Sequence, residues 1–108
     1  GKKEGRNPYC EYQLVGCYGD DTQRAMREES PNVGSIQQCA DYASGKGYNT
    51  FALQYGGQCF VDAEQNRYLQ KAAENPAVYG EKPCTTRGGY PEGMGDAWLN
   101  TVYTYPTQ

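Results

Sequence analysis

Histidine is absent from this 108-residue chain. That excludes a Ser-His-Asp or Cys-His nucleophile and removes the commonest general base. Close CxxC pairs are missing too, so the usual Cys/His zinc site has no ligands. Basic charge is in short supply: 10 Lys and Arg against 13 Asp and Glu leave a net charge of −3. Nucleic-acid binding therefore has no electrostatic footprint, and the cluster Lys2, Lys3 and Arg6 reads as a solvated tail. No apolar run approaches the roughly 20 residues of a membrane span. No leader peptide is visible, and a start at Gly1 fits a mature or trimmed product. Asn-x-Ser/Thr sequons are also missing, since Asn49-Thr50-Phe51 and Asn100-Thr101-Val102 both fall short.

Large aliphatic residues are few, and 11 tyrosines supplement them. Tyrosine buries area well only where its hydroxyl finds a partner or stays wet. A single domain with so thin a core and 14 glycines calls for covalent staples. Cys10, Cys17, Cys39, Cys59 and Cys84 are widely spaced and read as a disulfide framework, hence an oxidising, extracellular compartment. Their number is odd, so one is a free thiol or bridges a second chain.

Residues 1–9 read as a flexible arm and residues 10–108 as the folded domain. Alternation predicts a strand over Glu11–Tyr18, and Ser30–Gly34 is a turn-rich approach to a helix. Ser35 as N-cap with Gln38 three residues on forms a capping box, and Ile36, Cys39, Ala40 and Ala43 recur at helical spacing. A hairpin follows, with strands over Asn49–Tyr55 and Gln58–Val61 about a Gly56-Gly57 turn. A second helix is predicted over Ala63–Glu74, capped by Asp62 with Gln65 completing the box, with Tyr68, Leu69 and Ala72 inward and Asn75-Pro76 as its stop. Gly80–Asp96 reads as a loop anchored by Cys84, and Ala97–Tyr105 as a closing strand. The fold class is α+β: a small antiparallel sheet with two short helices, disulfide-stapled.

Four segments, in order, resemble a known module. They are Val15-Gly16-Cys17-Tyr18 with Asp20 and Arg24-Ala25; Cys39 on its helix; Gly47-Tyr48 leading to Phe51-Ala52-Leu53-Gln54-Tyr55-Gly56-Gly57-Gln58-Cys59; and Asp96 through Tyr103. The first three resemble the WSC domain, a cysteine-rich extracellular module. The whole set, over residues 12–105, is similar to small WSC-like domains of secreted marine-invertebrate proteins, which often close on a WxNxVY strand. Two departures stand out. Ala43 occupies the second cysteine position of the helical CxxxC, and Val61 that of the strand Cys-x-Cys. Loss of both as a pair implies a four-cysteine version in which Cys39 bridges Cys59, Cys17 bridges Cys84, and Cys10 is left over.

The carboxylates at Asp20-Asp21, Glu28-Glu29 and Asp62/Glu64 include pairs of the kind glycoside hydrolysis uses. Surface solvation explains them more simply in so small a module, and no enzyme is expected. No cofactor is expected either; calcium at Asp20 and Asp21 with Glu28 or Glu29 is the one metal option, without EF-hand spacing. The tyrosine excess is more informative. Tyr18, Tyr55, Tyr90, Trp98 and Tyr103 have Asp20, Arg24, Gln54, Gln58, Asp96 and Asn100 near them in sequence. Flat rings interleaved with amides and carboxylates suit a sugar, whose C–H faces stack while its hydroxyls need fixed donors and acceptors. Against that stands plain core filling, favoured for Trp98 and Phe51; for Tyr55 and Tyr90 exposure and burial are equally open. WSC domains are generally regarded as carbohydrate binders, and the resemblance makes Tyr18, Asp20, Arg24, Tyr55, Gln58, Trp98 and Asn100 the candidate ligand-binding residues. The expected protein is a secreted, non-catalytic binder of an extracellular glycan or glycoprotein. The competing reading is an adhesive or matrix protein acting through protein contacts and a Cys10-linked homodimer.

Overall fold

The computed structural model describes residues 12–85 and 88–105. The predicted arm and Cys10 lie outside the described residues. The elements are β1 (Gln13–Gly19), β2 (Glu28–Glu29), α1 (Ile36–Gly45), β3 (Thr50–Gln54), β4 (Gln58–Val61), α2 (Arg67–Glu74), α3 (Pro76–Tyr79), β5 (Glu81–Lys82) and β6 (Leu99–Thr104). All strands join one antiparallel sheet in the order β2-β4-β3-β6-β1-β5, which makes β3 and β6 central. The α+β class and the antiparallel sheet agree with expectation.

One face of the sheet carries α1. Cys39, Ala40 and Ala43 present small side chains to Phe51, Leu53, Cys59, Val61 and Tyr103, so the helix approaches closely. Phe51 and Tyr103 stack with centroids 5.3 Å apart, and Tyr12 meets both edge-on. The other face carries α2, α3 and the segment between β1 and β2, burying Ala25, Met26, Ala52, Phe60, Tyr68, Tyr79 and Val102. Both bridges form as the resemblance implies, Cys17–Cys84 and Cys39–Cys59. The registers Leu53↔Cys59, Leu53↔Thr101 and Cys17↔Thr101 place Cys59, Leu53, Thr101 and Cys17 in one row, with a bridge at each end.

Ser35 caps α1 as expected, its hydroxyl accepting from the Gln38 N–H at 3.1 Å. The reciprocal bond is offset by one residue: Gln38 Oε1 accepts from the Gly34 N–H. The second helix starts four residues later than its pattern predicts. Asp62, engaged by Arg27 and by the Glu64 N–H, is not its cap, and Gln65 accepts from the Asn49 N–H instead of closing a box. With the start moved, Leu69 is 42 % exposed. Pro76 ends α2 and opens the four-residue α3, a third helix, because a proline ring fits the first helical position where no N–H is needed. Gly80–Asp96 is not wholly irregular, since Glu81–Lys82 pair with β1 as β5.

Trp98 departs most from the core reading. It lies outside β6, at φ 55° in the tight turn bridged by Asp96 and Leu99, and is 42 % exposed. Strand alternation carried back through Trp98 would turn it inward; the turn rotates it out. Phe51, by contrast, is wholly buried.

Candidate functional site

Asp20, directly after β1, organises the site. Its backbone N–H donates to the Trp98 carbonyl at 3.1 Å. Its carboxylate accepts from the Ala25 N–H at 2.9 Å, Gln54 Nε2 at 2.5 Å and Arg24 Nη1 at 3.4 Å. The turn that follows is drawn tight by Asp21, which accepts from the Gln23 N–H at 2.9 Å and, through the same oxygen, from the Tyr79 hydroxyl. The guanidinium of Arg24 is thereby carried over two rings, 4.8 Å from the Phe60 centroid and 5.1 Å from that of Trp98. Tyr55, at the end of β3, meets Trp98 edge-on at 6.0 Å and Tyr90 edge-on at 6.0 Å.

Among the described residues, the non-glycine positions with left-handed φ are Arg24 (61°), Tyr55 (54°) and Trp98 (55°). Each costs an L-residue of these types about 1 kcal/mol or more. All three come from different turns, and their side chains meet around Trp98.

Beneath them lies a row of buried amides. Gln54 pairs with Gln58 and Asn100 with Tyr18, and one further step of the β3/β6 register sets Gln54 opposite Asn100. Gln54 is 0 % and Asn100 1 % exposed. Gln54 Oε1, Gln58 Oε1 and both amide atoms of Asn100 have no protein partner among the described residues. Buried polar atoms of this kind ordinarily bond to something, an ordered water or a polar group of a ligand.

The structure thus brings Asp20, Arg24, Tyr55 and Trp98 together and lays Gln58 and Asn100 in the row beside Gln54. Tyr18 does not join them. Its ring packs edge-on against Tyr68 of α2 at 5.1 Å, and burial, with the Glu81 carboxylate second, raises its phenol above the usual range. Phe60, which reads as plain core, and Gln54, which the sequence shows as a polar neighbour of the aromatic residues, both join the site without being among the candidate ligand-binding residues. Asp20, Asp21 and Glu28, the calcium option, are each engaged by other donors, Glu28 by Tyr48 at 3.0 Å and Lys46 at 3.3 Å. Among the described residues no group of three side chains is arranged to hold a metal ion.

Two cavities flank the loop that carries Trp98. One of about 380 Å³ is lined by Lys82, Thr85 and Trp98 among others. A larger one, about 740 Å³, lies on the α1 face between Ile36, Tyr90, Thr101 and Tyr103, away from Arg24 and the amide row. The loop itself is held by Asp96, which accepts from Thr85 Oγ1 at 2.9 Å and from the N–H groups of Gly88 and Ala97 at 3.2 and 2.8 Å. Gly95 lets it lie against β3: at φ 83°, any Cβ there would stand 2.1 Å from the Leu53 carbonyl oxygen.

Fold and staples define a disulfide-closed α+β module of the class typical of extracellular and cell-surface proteins. The family model of the WSC domain matches residues 14–91, well over half the chain, and the chain belongs to that family. No curated protein matches it significantly. No helix among the described residues is long and apolar enough to cross a membrane.

Proposed function

We propose that this is a secreted, non-catalytic module that binds extracellular carbohydrate at the surface formed by Trp98, Tyr55 and Arg24. The observation that carries this reading is the convergence of three left-handed, non-glycine residues on one half-exposed tryptophan. Strain of that sort persists where the surrounding structure over-determines it and concentrates at ligand sites. Membership of the WSC family, whose domains are regarded as carbohydrate-binding, points the same way.

The chemistry fits a sugar. The half-exposed indole offers apolar surface for C–H groups, and Tyr55 packs against it in a T-shaped pair. Arg24, with only one long contact to Asp20 among the described residues, keeps most of its five N–H donors for hydroxyls. Asp20 serves to hold Arg24 and Gln54, not to meet the ligand.

A glycan array followed by calorimetry on the best ligand tests this. Trp98→Ala should weaken binding at least about tenfold, a loss in keeping with stacking energies near 1.4 kcal/mol or more. Far-UV circular dichroism should be unchanged, because the side chain is half outside the core. Undiminished binding by Trp98→Ala would sink the assignment of the surface, and an array without hits would sink the carbohydrate reading.

A further inference from the structure

The cavity of about 380 Å³ shares Trp98 with the proposed surface but has neither Tyr55 nor Arg24 in its lining, and its chemistry is different. Its walls are Pro83, Ala97, Leu99 and the indole; its polar groups are Thr85, Asp96 and Lys82. A volume near 400 Å³ is at the lower end of small-ligand sites. The Asp96 carboxylate is turned to the loop, accepting from Thr85, Gly88 and Ala97. Lys82 is the cation among the described residues that line this cavity. Its ammonium donates to the Ala77 carbonyl at 3.0 Å and, among the described residues, has no carboxylate within ion-pair distance. Two of its three donors are therefore unspent. Its backbone, in β5, pairs with Cys17 of β1, and its Cε passes over Gly19, where an added Cβ would stand 2.7 Å from it. An ammonium so placed is not a freely waving surface lysine.

Trp98 thus has two cations with donors to spare in its neighbourhood: Arg24 over its ring, and Lys82, which lines the same cavity. We propose that the cavity is a subsite for an anionic sugar residue, one bearing a carboxylate or sulfate, with Lys82 taking the charged group and the indole edge, Pro83 and Leu99 taking the apolar part of the ring. This rests on the carbohydrate reading and narrows it to acidic glycans. The net charge of −3 opposes general attraction to polyanions, so a preference for charge reports this subsite and not the molecule's overall field.

The test is calorimetry of the full chain with a hexuronate oligosaccharide against its methyl-esterified form, and a sulfated galactan oligosaccharide against its desulfated form. In at least one pair the charged member should bind about tenfold tighter, as one charge-assisted hydrogen bond provides. The pair that responds tells carboxylate from sulfate. Lys82→Gln should bring the ratio within that pair close to one, and Lys82→Arg should keep it. Equal binding within both pairs, or a ratio unmoved by Lys82→Gln, overturns the inference and leaves the carbohydrate reading standing. Absence of binding by charged and neutral sugars alike overturns both.

Discussion

Both disulfides are anchored on the α1 face of the sheet, at the two ends of the row Cys59, Leu53, Thr101 and Cys17, while the α2/α3 face is held without any covalent link among the described residues. On the α1 face a stripe of small residues meets stacked aromatics, and the Tyr103 hydroxyl is satisfied by the Gly93 carbonyl. The opposite face buries Gln54, Asn100, Asp20 and Asp62; ion pairs and hydrogen bonds hold the two carboxylates, while the Asn100 amide has no protein partner among the described residues. Stability is concentrated on one side of the sheet and chemistry on the other. The candidate site occupies the end of the face that carries the buried polar groups and the backbone strain.

The largest effect should come from the staples. A cross-link removes unfolded-state entropy in proportion to the logarithm of the loop it closes. With sequence separations of 67 and 20, removing Cys17–Cys84 should cost roughly 4 kcal/mol and removing Cys39–Cys59 roughly 3 kcal/mol. Urea unfolding of the two double alanine variants measures both. The reverse order would mean that packing around the wholly buried Cys39 and Cys59, not chain entropy, dominates this face.

Next comes the ion-pair hub of the unstapled face. Burial alone would raise the carboxyl of Asp62, but the Arg27 guanidinium and the N–H groups of Glu64 and Arg27 hold it below its ordinary value. Arg27 reaches it through Nε at 2.8 Å and Nη2 at 2.7 Å, and Arg67 stands 3.6 Å away. Asp62→Asn should cost about 2 kcal/mol, the worth of hydrogen bonds to a charged group. A depressed folded value means stability present above the unfolded carboxyl pKa and lost as pH falls through the lower, folded one. The acid limb of the urea midpoint, below about pH 4, should therefore be shallower in Asp62→Asn than in the parent.

The α1 face was the more legible of the two in sequence, and the reason is physical. Small residues at helical spacing after a Ser cap have few other uses, and a Gly-Gly turn between β-rich runs fixes a hairpin. Strand alternation failed where strands are central: all five residues of β3, and Leu99 through Tyr103 of β6, are buried, because both faces are covered. In the site, Asp20, Arg24, Tyr55 and Trp98 could be named from their types and order. What brings them together could not. Arg, Tyr and Trp have no preference for left-handed backbone, so three such turns leave no trace in composition; a tryptophan in a chain short of aliphatics reads as core, and nothing in the sequence shows the turn that rotates Trp98 outward. The engagement of Asp62 by Arg27, 35 positions away, is equally invisible from a window that shows only a capping pattern.

A smaller effect separates strain from packing within the site. At an ordinary position glycine is less stable than alanine, since it loses more freedom on folding. At φ near +55° the order reverses by about 1 kcal/mol, because the Cβ meets the backbone carbonyl. Tyr55→Gly should therefore be more stable than Tyr55→Ala by about that amount, and the same should hold for Trp98 and Arg24. Every one of these variants should lose sugar binding. Alanine variants as stable as the glycine ones would remove strain, and with it the chief support for the site.

The smallest effect at neutral pH appears only in alkali. Burial, followed by the hydrogen bond to Asp21, pushes the Tyr79 phenol up to about 12, and burial likewise raises Tyr18 and Tyr68 on the same face. On the α1 face Tyr103 is raised for the same first reason. A raised folded pKa favours the neutral phenol in the folded state. Its contribution is complete below the unfolded value near 10 and is lost as pH climbs through the folded one. Between pH 10 and about 12 the urea midpoint should fall, and Tyr79→Phe should flatten that fall more than Tyr103→Phe. Absorbance at the tyrosinate band, followed alongside, should show these phenols ionising as the protein unfolds and not before. Equal flattening by the two variants would mean that the faces respond alike to alkali, and that the weakness of the α2/α3 side lies in its carboxylates alone.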